Sequence, residues 1–161
     1  MQISRRTFTA ATLAAPTLLL RGQPAAALGG SSPEASQGGL LAGAAAVDVS
    51  PRKLPAIVNG YTFERSVGVI HDPLYARCLV LDDGATRVAI MVVDICVMPR
   101  DLIDRAKAAA REQTGIPVER MLVSATHTHS AASAMSALGS RADADFVEYL
   151  PGRIAEAVRL A

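Results

Sequence analysis

Residues 87–126 constrain the fold more than any other stretch of the chain. Arg87 to Cys96 (Arg-Val-Ala-Ile-Met-Val-Val-Asp-Ile-Cys) is an almost unbroken apolar run of strand length. From Pro99 to Thr114 the period changes. Leu102, Ile103, Ala106, Ala109 and Ala110 make one helical stripe. Pro99 suits a first turn, Asp101 and Asp104 lie near the positive end of the helix dipole, and Gly115 and Pro117 stop it. Arg120 to Thr126 is again a strand. Strand, helix, strand in that order predicts a right-handed crossover with strands 87–96 and 120–126 parallel in one sheet. The unbroken run in 87–96 further predicts burial on both faces. In open sheets of this kind, ligands bind beyond the carboxyl ends of the strands.

The flanking sequence fits the same architecture. Ala44 to Val49 is a first strand, ended by Ser50-Pro51. Leu74 to Leu81 is a second, followed by the tight-turn signal Asp82-Asp83-Gly84. Residues 51–70, with Pro51, Pro55, Gly60 and Gly68, are expected to form an irregular loop, either a plain connection or a pocket lining. Ala131 to Ser140 is a run of small residues, a flexible connector or a pocket wall. From Asp143 onward, Phe146, Leu150, Ile154 and Val158 recur every four residues as a helical stripe, interrupted by Pro151-Gly152. The stripe runs into Ala161 with no stop signal, which is expected of a truncated chain. The predicted class is α/β, a mixed sheet with at least one right-handed strand–helix–strand crossover and flanking helices. It would be the N-terminal part of a larger domain, occupying 40–161.

Residues 1–27 read as a targeting segment. Ser4-Arg5-Arg6-Thr7-Phe8 is a twin-arginine pattern, an apolar run extends to Leu20, and Ala25-Ala26-Ala27 offers a cleavage site. Export by the twin-arginine route, to a periplasmic or secreted location, is the expectation. Residues 28–39 are a Gly/Ser/Pro linker. Removing residues 1–27 takes away three arginines and no acidic residue, so the net charge of +1 becomes −2. With few aromatic residues and no basic stripe, a nucleic-acid partner is not expected. The two cysteines, Cys78 and Cys96, cannot make a disulfide scaffold and are expected to be buried free thiols.

The chain has no Gly-rich phosphate loop, no Gly-x-Ser-x-Gly elbow and no Cys-x-x-Cys pair. Its chemistry is concentrated in Ser124-Ala125-Thr126-His127-Thr128-His129-Ser130, at the end of the second crossover strand. Two imidazoles two positions apart project from one face of an extended backbone and can converge on a metal ion. A polar strand terminus explains the same pattern. Asp94 breaks the apolar run close to the end of the neighbouring strand. It reads as a pocket-facing carboxylate near the metal, or as a helix cap or structural hydrogen-bond acceptor. His71, the third histidine, precedes the second strand and is either a further ligand or a loop residue. A catalytic zinc takes about three protein ligands and keeps one position open, so metal-assisted hydrolysis is the chemistry these residues support best.

In chain order, Ala46-Val47-Asp48-Val49-Ser50-Pro51, Gly60-Tyr61, Leu74-Tyr75-Ala76-Arg77, Val92-Val93-Asp94-Ile95 and Ser124 to Ser130 resemble the N-terminal domain of neutral/alkaline, non-lysosomal ceramidases over about residues 43–161. Thr-His-Thr-His-Ser is the most specific of these pieces. The resemblance implies a zinc-dependent amidase that cleaves ceramide into sphingosine and a fatty acid. It implies His127 as a zinc ligand and His129 as the neighbouring histidine that hydrogen-bonds substrate or water. In that family the other ligands, a second His, a Glu and a Tyr, come from later sequence. A lipid amide or other N-acyl compound is the implied substrate, with peripheral contact to membrane lipid. Two departures stand out: Ala131-Ala132 replaces the usual Gly-Pro, and His71 in His-Asp-Pro-Leu-Tyr is more similar to bacterial relatives of unproven substrate. An inactive truncated fragment, or another metallohydrolase with a His-x-His pair, are the competing expectations.

Overall fold

The structure is a computed structural model, and it describes residues 39–161. The expected targeting segment 1–27 and the expected linker 28–39, apart from Gly39, lie outside the described residues. The strands are β1 (Leu41–Asp48), β2 (Ala56–Val58), β3 (Arg65–Val67), β4 (Tyr75–Asp82), β5 (Arg87–Val93) and β6 (Met121–Ala125). The helices are α1 (Arg100–Thr114) and α2 (Ala144–Leu160). Strands β1, β4, β5 and β6 form one mixed sheet in that order. β1 with β4 and β4 with β5 are antiparallel, whereas β5 and β6 are parallel and joined through α1. The α/β class and the crossover are as the sequence predicts.

Local chemistry explains the joints. At the β4–β5 turn, the Asp83 Oδ1 accepts the amides of Ala85 (2.9 Å) and Thr86 (2.6 Å), and Gly84 takes φ 86°. Those amides hold the Asp83 carboxyl below its ordinary value. This support is in place above the ordinary carboxylate range and fades as pH falls through the lowered value. Helix α1 starts after Pro99 and closes on Gly115, whose φ of 73° lets its amide donate to the Arg111 carbonyl at 2.8 Å. Helix α2 starts on Asp143, whose Oδ1 accepts from the Phe146 amide and whose Oδ2 accepts from the Ile57 amide. The helix runs through Pro151 without a break. Proline has no N–H for the Val147 carbonyl four residues back, and Arg105 Nη2 of α1 donates to that oxygen at 3.1 Å instead.

One face of the sheet carries the core. Val47, Ala76, Cys78, Val80, Ala89, Met91, Val93 and Met121 pack beneath Leu102, Ala106 and Ala110 of α1 and Phe146, Leu150, Ile154 and Val158 of α2. The strict alternation in β4 and β5 turns Leu79, Ile90 and Val92 to the opposite face, where they are more than a third exposed. Burial of 87–96 on both faces is therefore not observed within residues 39–161. The run is apolar on both sides, but the described residues cover one side only. Cys78 pairs with Met91, not with Cys96, and both cysteines are buried free thiols. Among the described residues, no helix is long and apolar enough to cross a membrane.

Two expected loops are ordered structure. Residues 56–67 form the β2–β3 ribbon. Residues 131–140 are pinned against it: the Ser133 amide donates to the Ile57 carbonyl (2.8 Å), Ser140 Oγ to the Val58 carbonyl (2.7 Å) and Asn59 Nδ2 to the Ala137 carbonyl (2.6 Å). Ala131, Ala132, Ser133 and Ala134 are buried as a result. Small side chains here allow close backbone approach, so the run is a packed wall rather than a flexible connector.

Opposite outcomes are expected for adjacent residues of β5. Met91→Ala opens a cavity under both helices and should cost about 2–5 kcal/mol. Ile90→Ala, on the open face, should cost about 1 kcal/mol or less. Urea unfolding of the two variants compares them directly.

Candidate metal centre

The parallel pairing of β5 and β6 brings two carboxyl ends side by side, with Val93 opposite Ala125. Beyond the last ladder pair the chains stay tied. The Thr126 amide donates to the Val93 carbonyl and the His127 amide to the Ile95 carbonyl, both at 3.0 Å. His127 has φ 62°, in the left-handed region that costs a non-glycine residue about 1–2 kcal/mol. The two histidines are thus not presented by a continuing strand. β6 ends at Ala125, and a left-handed turn at His127 brings the rings together, with centroids 5.0 Å apart at 72°.

His127 Nδ1 lies 2.9 Å from the carbonyl oxygen of Cys96 and 3.8 Å from its Sγ. Its proton donates to that carbonyl and fixes the ring. Burial pushes the Cys96 thiol above its ordinary value, as it does Cys78, which is raised to about 11. His129 stacks edge-on toward Tyr61 (6.4 Å), and the Arg65 guanidinium also lies over that ring, 3.4 Å from its centroid. Gly60 makes this possible. Its φ is +99°, and a Cβ there would sit 2.5 Å from His129 Cγ.

One donor atom each from Cys96, His127 and His129 lies within 4.8 Å of the other two, so the cluster is able to hold a metal ion. Nitrogen and sulfur donors favour a borderline-soft transition metal over calcium or magnesium. Cys96 is buried while both histidines are exposed, so the cluster opens toward solvent. Sequence reasoning took Cys96 for an inert thiol. Its position just past the end of β5, beside the end of β6, was the available signal.

Asp94 and His71 are placed elsewhere. Asp94 Oδ2 accepts from the Tyr75 amide (3.0 Å) and Arg77 Nη1 (2.7 Å), bracing the β4–β5 edge outside the three-donor cluster. His71 is exposed, with Nδ1 2.9 Å from Asp72 Oδ2. It lines a cleft of about 460 Å³ whose lining includes none of the three donor residues. Val58, Val67, Val69, Ile70 and Leu74 make the cleft apolar, and Thr128 and Ser130, which alternate with the histidines, line it as well. Arg65 borders it with a buried Nε that has no partner.

The fold matches solved structures. It superimposes on neutral ceramidase from Pseudomonas aeruginosa with a TM-score of 0.65 at 18% identity, and on a ceramidase complexed with C2 with a TM-score of 0.63 at 19% identity. Each match covers 75% of this chain and 21% of the other, so the matched region spans about a fifth of the length of those enzymes. The described domain therefore has a ceramidase-like fold. No family model matches the sequence, and no curated protein matches it.

Gly60→Ala should push His129 aside, lowering metal affinity at least tenfold in calorimetric titration while costing about 1–2 kcal/mol of stability through the left-handed backbone. Asp94→Asn should behave in the reverse way. Thermal or urea unfolding should show a loss of about 1–3 kcal/mol from the weakened contacts with Tyr75 and Arg77, with metal affinity unchanged.

Proposed function

We propose that this chain carries part of the active site of a zinc-dependent amide hydrolase of the neutral ceramidase type, acting on an N-acyl lipid. The observation that carries the reading is the pair His127 and His129, converged at the ends of parallel strands on a ceramidase-like fold. His127, held by the Ile95 and Cys96 carbonyls, is the residue to hold the zinc. When bound, the ion supplies a Lewis acid and a water of lowered pKa. His129, exposed beside it, orients the scissile amide or the attacking water by hydrogen bonding. The largely apolar cleft that Thr128 and Ser130 help to line takes an acyl chain. Export through the twin-arginine route, from Ser4 to Phe8, belongs to the same proposal and places the enzyme where external lipid amides are met.

Zinc content and hydrolysis of N-acyl sphingoid bases test this together. The expected result is zinc bound by the protein and lost in His127→Ala, with activity falling at least a thousandfold in the same variant. Hydrolysis that survives loss of zinc would make the metal structural. Zinc binding with no cleavage of any N-acyl substrate would leave a binding domain without chemistry.

A further inference from the structure

We propose that Arg65 reads a carboxylate on the amine side of the substrate, so that the site favours N-acyl amino acids over neutral N-acyl lipids. The inference rests on the N-acyl hydrolase reading above and narrows its substrate class. Arg65 lies on β3 opposite Val58 of β2, and both residues line the largely apolar cleft. Val67, Val69, Ile70 and Leu74 continue the apolar lining, where an acyl chain is taken up. The β2–β3 ribbon is pinned by Ser133 and Ser140, so the guanidinium is presented from a fixed frame.

Among the described residues, Arg65 makes no ion pair. The neighbouring carboxylate, Glu64, is bound to Arg141 at 3.3 Å. Asp72, which also lines the cleft, is exposed and faces His71 Nδ1 at 2.9 Å. What holds Arg65 is the Tyr61 ring, whose centroid lies 3.4 Å from the guanidinium carbon. An aromatic face steadies a cation without neutralising it. The buried Nε has no acceptor, so a donor of this group is left unsatisfied. His129 approaches the same Tyr61 ring at 6.4 Å. Tyr61 is thus shared by the cation and by the histidine assigned to the scissile amide. That arrangement suits a carboxylate a carbon or two from the amide nitrogen, which a guanidinium fork grips with paired hydrogen bonds. One guanidinium matches one carboxylate charge. A phosphate would bring a second charge near Asp72, with no other arginine or lysine lining the cleft.

Two matched ligands, N-dodecanoylglycine and its neutral counterpart N-dodecanoylglycinamide, test this by binding to the full chain without turnover. Both are titrated calorimetrically at neutral pH and monomeric concentration, with zinc and again with a chelator. The expected result in both conditions is about tenfold or more tighter binding of the glycine compound. Arg65→Gln should remove that preference and leave affinity for the glycinamide unchanged, and Arg65→Lys should keep part of it. Equal affinities in the unmodified chain would overturn the role of Arg65 and leave the hydrolase reading standing. A preference that survives Arg65→Gln would do the same. So would one that chelation abolishes, because the metal would then hold the carboxylate. Binding of neither ligand would overturn both the acyl cleft and the role of Arg65. The comparison on the unmodified chain decides the matter even where Arg65→Gln does not fold. Failure of the hydrolase reading shows separately, as the absence of zinc or of cleavage.

Discussion

The parallel pairing of β5 with β6 is the interaction on which the site depends. An antiparallel partner would bring the start of one strand to the end of the other. Parallel pairing brings two ends together, and here those ends carry Asp94 to Cys96 on one side and Thr126 to His129 on the other. It requires a crossover, and α1 supplies it. The same helix then packs with α2 over the buried face of the sheet. Core, crossover and histidines are thus consequences of one pairing choice.

Two departures from ordinary backbone lie beside this pairing. His127 occupies a left-handed conformation that an ordinary side chain avoids, and Gly60 takes one as well, a few ångströms from His129. The surrounding hydrogen bonds from Ile95, Cys96 and the pinned segment 131–140 hold the arrangement in place. Strain held by its surroundings at a cluster of residues able to hold a metal is the pattern expected of a preorganised site.

Much of the fold was legible because its signals are local. Asp83-Gly84 announces the hairpin, Gly115 the end of α1, and the four-residue stripe from Phe146 to Val158 the buried face of α2. What was not legible depends on contacts between distant segments. The β2–β3 ribbon has strands of only three residues, too short for a periodic signal, and it is stabilised by residues some eighty positions away. The wall at Ala131 to Ala134 looks like linker by composition, because close packing and flexibility both call for small residues. At the site, the histidine pair was visible but its cause was not: a strand-like spacing suggested a shared face, whereas a left-handed turn produces the approach. Cys96 was hidden for the same reason, since a thiol at the end of an apolar run looks like core until the neighbouring strand is in place. Apolar residues on both sides of β5 suggested two-sided burial. The run tells how apolar each face is, not which of them the described helices cover.

Pro151 and Arg105 give the fold a dependency that neither residue declares by itself. The proline removes a donor from the middle of α2, and an arginine of another helix replaces it at the Val147 carbonyl. Read as history, the two positions are coupled. A lineage that acquires proline at 151 gains from a long donor at 105, and one that loses the proline releases 105 to drift. Across relatives, the two positions should vary together because both bear on the Val147 carbonyl. A substitution scored at either site alone would then misjudge the cost that depends on both.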